Sequence, residues 1–203
     1  MSTFGEMQTQ VLNDLLSDEL TAEVQLAIKQ AVKRLDENNA FWFQQERATT
    51  TLSSATAVYS LPTDYDSMDY ILLTDGSAIW TPTFGSMEEV LASQFSGHTG
   101  ESILYTIYDG QLFFAPSVDD NLTIRLGYQR NIGEPTATSA YTSTWFTTGY
   151  DAVRFEAEAD LYLNVKHDAE KGQIAKGQAK EAVANLMNRN ERRLATGVLR
   201  TKL

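Results

Sequence analysis

Hydrophobic positions fall into three successive regimes along the chain: helical at the start, alternating in the middle and helical again at the end. Thr3-Phe-Gly-Glu6 matches a capping box, in which each of the two polar side chains accepts the other residue's backbone N–H. Met7, Val11, Leu12, Leu15 and Leu16 then make one stripe, which predicts a helix ending near Ser17. A second helix is predicted after Thr21. Val24, Ile28, Ala31, Val32 and Leu35 line one side of it, Lys29, Lys33, Arg34 and Glu37 the others, and Asn38-Asn39 marks its end. Both helices are short and amphipathic, so each needs a partner surface to be stable.

From Arg47 the period falls to two. "RATTTLSS" and "AVYSLP" are rich in β-branched and aromatic residues, which fit a half-buried pleated surface, and Pro62 closes the second run. "DYILLT" and "AIWTPT" flank Asp75-Gly76, predicting a hairpin whose loop is slightly longer than two residues. Ser86-Met-Glu-Glu89 is a second capping box, opening a short helix over 87–96 through Val90, Leu91 and Phe95 that stops at Gly97. The clearest hairpin is "ILYTIYDGQLFFAPS", turning at Asp109-Gly110. In "NLTIRLGYQRN", Leu122, Ile124, Leu126 and Tyr128 alternate inward against Thr123, Arg125, Gly127 and Gln129 outward, so that strand has one wet face.

Between Asn131 and Thr148 the Thr, Ser, Gly and Pro content predicts a long loop, with Trp145 and Phe146 anchoring its return. Beyond it, Tyr150, Val153, Ala157, Leu161 and Val165 form one apolar helical face, and Ile174, Ala175, Ala179, Ala182, Val183, Leu186 and Met187 another. Gly172 and Gly177 weaken the second of these helices, or let a neighbour approach closely. The order implies an α+β fold, a helical bundle formed by the N- and C-terminal helices with an inserted antiparallel β region. The expected divisions are 1–46 for the N-terminal helices and 47–130 for the β region with its short helix. Residues 131–148 follow as a long loop or arm, and 149–203 as the C-terminal helices and a basic tail.

Composition narrows the reading further. A chain of 203 residues can bury a sizeable core, and the lack of cysteine excludes disulfides, thiolate metal sites and thiol nucleophiles. No run of eighteen apolar residues occurs, and "MSTFGEMQTQ" lacks the basic and apolar parts of a signal peptide, so the protein is expected neither to span a membrane nor to be secreted by that route. Net charge is −11, unevenly spread: residues 1–150 hold 6 Lys/Arg against 19 Asp/Glu, and residues 151–203 hold 10 against 8. An acidic body argues against a bound nucleic acid, whose affinity comes mainly from phosphate neutralisation. In "NRNERRLATGVLRTKL" five cations, Arg189, Arg192, Arg193, Arg200 and Lys202, face only Glu191. The stretch reads either as an interaction tail or as a solvated helix end whose cations complement the helix dipole.

Catalytic chemistry finds little support. His167 beside Asp168 and Glu170 lacks the helical spacing of paired metal ligands, and His98 in a Gly-rich loop has no adjacent nucleophile or oxyanion donor. Glu88-Glu89 opens a helix, where negative charge is favoured, and Asp119-Asp120-Asn121 is turn chemistry. No phosphate-binding glycine motif and no G-x-S-x-G elbow is present. No catalytic, cofactor-binding or metal-binding residue is therefore assigned. The aromatics Phe41, Trp42, Phe43, Tyr59, Tyr65, Tyr70, Trp80, Tyr105, Tyr108, Phe113 and Phe114 suit a small β core and its join to the bundle, with Phe41, Trp42, Phe43, Tyr59, Leu61 and Pro62 as the seam. The competing use for them is a carbohydrate platform.

Taken together, a helix ending in "FWF", a Thr-rich strand, "VYSLPTDY" leading into "DYILL", "YTIYDGQLFFAPSVDDNLTIRLGYQR", a loop and a terminal helix pair resemble the head-to-tail adaptor (connector) proteins of tailed bacteriophages, especially the short-tailed ones. The resemblance covers nearly the whole chain. Its most telling parts are Tyr59-x-Leu61-Pro62-x-Asp64, the Tyr108-Asp109-Gly110 hairpin through Pro116, and the strand that follows. It implies a structural, non-enzymatic virion protein needing no cofactor, assembled in the host cytoplasm into a ring, usually twelvefold, beneath the portal protein. Such a ring joins capsid to tail or nozzle proteins at the neck and lets DNA pass through its lumen without specific binding. Portal docking falls to the C-terminal stretch: Arg189, Arg192, Arg193, Leu194, Val198, Leu199, Arg200 and Lys202, expected to order on docking. The alternative is a carbohydrate- or receptor-binding module of a phage tail.

Overall fold

The computed structural model describes residues 2–17, 19–38, 40–53, 58–97, 99–117 and 121–195. It is an α+β fold with helices at both ends of the chain, and it divides into two compact units. One unit comprises Met1–Gln44 with Asn131–Leu203, and the other Gln45–Arg130.

The first unit is built by helices α1 (Phe4–Leu15), α2 (Thr21–Asn38), a one-turn 3₁₀ segment (Trp42–Gln44), and, after the strands, α4 (Thr144–Thr147), α5 (Tyr150–Asn164) and α6 (Ala169–Ala195). At the start of α1 the Thr3 hydroxyl accepts from Glu6 N–H at 3.1 Å, and the Glu6 carboxylate from Thr3 N–H at 3.0 Å. That reciprocal cap is the one its four-residue spacing predicts. Phe4, Met7, Val11 and Leu15 recur at helical spacing, and all are buried with Val24, Ile28, Ala31 and Val32 of α2 and Val153, Ala157 and Leu161 of α5. The core is therefore closed by side chains from both ends of the sequence.

The expected loop over 131–148 contains α4, a helix of four residues, too short to leave a period in the sequence. Trp145 and Phe146, its anchors, are fully buried. Two apolar positions are corrected. Val165 stands at the C-cap of α5 and is 37 % exposed, and Ile174 on α6 is 57 % exposed. The buried stripe of α6 is narrower than its apolar content, running through Gly172, Ala175, Ala179 and Leu186. A Cβ on Gly172 would meet Leu163 of α5 at 2.6 Å, so this glycine does allow a close approach.

The second unit is a two-sheet sandwich with a helix on one face. Its strands are β1 (Gln45–Leu52), β2 (Val58–Ser60), β3 (Tyr65–Thr74), β4 (Ile79–Trp80), β5 (Thr83–Phe84), β6 (Leu104–Tyr108), β7 (Gln111–Ala115) and β8 (Leu122–Arg130), with α3 (Met87–Phe95) between β5 and β6. One sheet has the order β1-β8-β3-β4 and is antiparallel; the other runs β2-β7-β6-β5. The second sheet departs from the expected antiparallel region, because β5 lies parallel to β6. Parallel neighbours need a crossover, and α3 with its flanking loops supplies it.

Local chemistry accounts for the turns. Asp109 and Gly110 both take positive φ, 48° and 69°, the geometry of a two-residue turn whose twist matches the flanking strands. The Asp75-Gly76 loop is longer, since Thr74 pairs with Ile79, and the Asp75 carboxylate ties it by accepting from Ser77 and Ala78 N–H at 2.8 and 2.7 Å. Leu122, Ile124, Leu126 and Tyr128 do point inward, packing with Leu52, Ile71, Leu73, Leu112 and Phe114. The outer face of β8 is less wet than its sequence implies: Gly127 is buried because Tyr70, its partner on β3, lies over it.

Candidate functional site

The sequence placed interaction chemistry at the end of α6, and the structure gives that end a definite footing. Asn190 accepts from Trp42 N–H at 3.0 Å and donates to the Ala40 carbonyl at 3.2 Å, joining α6 to the turn that follows α2. Arg189 and Arg192 lie exposed on either side of it in sequence. Arg193 and Leu194 belong to α6, which runs to Ala195. Val198, Leu199, Arg200 and Lys202 lie outside the described residues. Alongside, a groove of about 630 Å³ runs between the start of α5 and the last turns of α6, lined among others by Tyr150, Asp151, Glu181, Asn185, Arg189 and Arg192. Its rim carries both signs of charge, so it has no overall preference for an acidic or a basic partner.

The six residues proposed as a seam divide between two cores. Phe41 and Phe43 stack at 5.2 Å, and both meet the face or edge of Trp145 at right angles, at 5.4 and 5.0 Å, while Trp42 packs edge-on against Phe43. All three belong to the helical unit's hydrophobic cluster. Tyr59 and Leu61 pack against the sandwich core, and the Pro62 carbonyl accepts from Tyr65 N–H at 3.1 Å, forming the turn into β3. Tyr65, Trp80 and Tyr105 pack there too, and Phe114 is fully buried, so most of the aromatic excess goes into packing rather than into a flat exposed platform.

Two polar centres hold the helical unit together, and sequence reading picked out neither. Asp36, near the end of α2, accepts from the Trp145 indole N–H at 2.9 Å, from Ile132 N–H at 2.8 Å and from the Gln44 side-chain amide at 3.1 Å. Burial pushes its carboxyl above the ordinary aspartate range, against the pull of these donors. The second centre joins α1 to α5. Arg154 contacts Asp14 at 2.8 Å through one terminal nitrogen, and its Nε donates to Asp14 at 3.0 Å and to Glu158 at 2.8 Å. Glu158 is 5 % exposed, and burial, then the neighbouring Asp14 carboxylate, pushes its carboxyl up to about 7. The i,i+4 spacing of Arg154 and Glu158 was visible in the sequence; the partner 140 residues away was not.

Of the polar residues weighed for chemistry, His167, Asp168 and Glu89 are among those the structure describes. His167 is exposed at the α5–α6 turn with φ of 54°, and the adjacent Asp168 caps α6 by accepting from Lys171 N–H at 3.1 Å. His98, Asp119 and Asp120 lie outside the described residues. Glu89 is engaged with Ser86 in the α3 capping box. Among the described residues no group of three or more His, Cys, Asp or Glu is arranged to hold a metal ion, and no helix is long and apolar enough to cross a membrane.

Fold and site together define an α+β protein of two units, in which the polar centres and most of the aromatic groups described above serve packing within one unit or the other. A family model described as SU10 adaptor protein matches residues 2–202. The chain belongs to the SU10 adaptor protein family, and it is a bacteriophage head-tail adaptor, a structural protein. No match was found among curated proteins.

Proposed function

We propose that copies of this protein form a closed ring, twelvefold, under the portal in the neck of the virion, extending the DNA channel and seating tail or nozzle proteins. The observation that carries the reading is family membership over residues 2–202, nearly the whole chain, so both units fall within the adaptor. A ring of identical copies uses two different surfaces per copy, which an α+β chain of two units can supply. The charge supports a conduit: residues 1–150 carry a strong acidic excess, and DNA repelled by such a wall slides without being bound. Assembly takes place in the host cytoplasm, the portal being the first partner.

In this reading the end of α6 and the residues after it dock on the portal, through Arg189, Arg192, Arg193, Leu194, Val198, Leu199, Arg200 and Lys202. Because Asn190 braces Trp42 and Ala40, deleting the whole stretch from 189 would also disturb the fold. The cleaner variant keeps Asn190, truncates after Ala195 and changes Arg189 and Arg192 to Glu. Negative-stain images of the protein mixed with its portal are expected to show an added ring with the wild type and none with this variant. No added ring with the wild type would overturn the assembly reading; an undiminished ring with the variant would overturn the assignment of the docking surface.

A further inference from the structure

Arg154 holds two carboxylates, one from its own helix and one from α1, and three features make that arrangement sensitive to a single proton. Glu158 is 5 % exposed, so its charge is poorly solvated. Arg154 Nε donates both to the Glu158 carboxyl, at 2.8 Å, and to that of Asp14, at 3.0 Å, so two acids crowd one nitrogen, and a proton held between them relieves their repulsion. And one guanidinium can neutralise only one of them. With one proton between the two acids the cluster is a balanced ion pair plus a neutral acid; without it, a net negative charge is trapped beneath α1.

We propose that Asp14 and Glu158 form a proton-operated latch that holds α1 against α5. Protonated, Glu158 donates to Asp14 while Arg154 bridges both, and α1 is clamped at its last turn, where Tyr162 also donates to the Asp14 carbonyl at 2.9 Å. Deprotonated, the two like charges repel across the α1–α5 contact. Lifting α1 relieves the repulsion by letting both acids reach water.

The surrounding charges leave this balance in place. On α1, Gln10 donates to Asp14 at 3.1 Å but carries no charge, and Glu6 adds negative potential at Tyr150. On α5, Tyr150 and Tyr162 are held neutral by burial to above their ordinary range. On α2, Arg34 is engaged elsewhere, with Glu156 at 3.4 Å and Asp160 at 3.7 Å. On α6, Lys171 lies over the Tyr162 ring, 5.6 Å from its centre, and pairs with Asp168. None of these supplies a second cation to the latch. Glu158, with its carboxyl pushed up to about 7, places the transition near neutrality. The raised value means the clamp is complete below the ordinary glutamate range and is lost as pH rises through about 7.

The test is backbone amide exchange of α1, corrected for the intrinsic pH dependence of exchange and referenced to α2 in the same molecule. Between about pH 6 and about pH 8.5 the opening of α1 is expected to rise about tenfold relative to α2. Glu158→Gln, whose amide can donate to Asp14 without ionising, is expected to hold α1 closed with no pH dependence. Should that variant fail to fold, Asp14→Asn removes the second charge and is expected to abolish the pH dependence equally. A site-specific carboxyl titration of wild-type Glu158 is expected to give a midpoint near neutrality. Parallel exchange of α1 and α2 at every pH, a Glu158 midpoint in the ordinary carboxylate range, or wild-type pH dependence in both variants overturns the latch. The inference does not depend on the ring reading.

Discussion

The helical unit and the sheet unit are closed in opposite ways. The helical core draws Phe4, Met7 and Val11 from the start of the chain, Phe41 from its first quarter, and Trp145, Val153 and Leu186 from its last third. The sheet core lies wholly within Gln45–Arg130, and its hairpins pair residues near in sequence before β8 inserts between β1 and β3. Ordering the first joins segments from the two ends of the chain; the second also closes long loops, Gln45 pairing with Gln129 and Tyr65 with Arg130, so the two closure costs differ only modestly. The polar groups follow the same division. Asp36 and the Asp14–Arg154–Glu158 cluster bridge segments about a hundred residues or more apart in the helical unit, while ladder hydrogen bonds do most of that work in the sandwich.

The sharpest way to break this comparison is Trp145→Ala. The side chain is fully buried, meets Phe41 and Phe43 and donates to Asp36, so its removal leaves a cavity and takes one of three donors from a half-buried carboxylate. The expected cost is about 3–5 kcal/mol. Amide exchange is expected to show it unevenly, with α1, α2 and α5 losing protection and β3 and β8 keeping theirs. Equal loss in both units would show that they unfold as one.

The matching change in the sandwich is Gly127→Ala. A Cβ at this position would overlap the Tyr70 ring, and Tyr70 cannot withdraw without uncovering the strand. A cost of about 1–3 kcal/mol is expected, confined to the sheet unit. Tyr70→Ala in the same chain is expected to recover most of it, so a double-mutant cycle by denaturant unfolding reads the contact directly. Additive effects would mean that the ring does not set the cost.

Much of the local structure was legible beforehand, and the unread part shares a cause. Both capping boxes, the Asp109-Gly110 turn and the inward set on β8 follow from spacings of four residues or fewer, where backbone geometry decides the outcome. The insertion of β8 between β1 and β3, the parallel pairing of β5 with β6 and the partnership of Asp14 with Arg154 depend on which distant segments meet. No local pattern carries that. Val165 and Ile174 went astray for a related reason: an apolar period locates a helical face but not how wide a stripe its neighbour covers. The end of α6, proposed above to dock, was legible only as charge, because the brace formed by Asn190 joins residues about 150 positions apart.

A smaller effect distinguishes the units by pH. Tyr128 in the sandwich donates to Asp64 at 3.0 Å, and burial, then this carboxylate, pushes its hydroxyl up to about 12. Since that value lies above the ordinary tyrosine range, the contribution is intact below about pH 10 and is lost as pH rises through about 12. Tyr128→Phe is expected to cost about 1 kcal/mol at neutral pH. It should also remove the last tyrosinate step from an absorbance titration. An unchanged alkaline titration would place the most raised hydroxyl elsewhere.

The smallest expected effect lies within one helix and has opposite signs at two glycines. At Gly172 an added methyl would press on Leu163 at 2.6 Å, whereas at Gly177 nothing lies within 4 Å and the backbone is ordinary helix. Ala in place of an exposed helical Gly removes freedom from the unfolded chain, so Gly177→Ala is expected to stabilise by about 0.5–1 kcal/mol and Gly172→Ala to destabilise. Packing within the protomer therefore explains Gly172 and gives no reason for Gly177. If Gly177 is present to let α6 bend or a neighbouring copy approach during assembly, the stabilised Gly177→Ala protein will seat on the portal more poorly than wild type. Seating as well as the wild type would leave the glycine as a local weakness of the helix with no part in assembly.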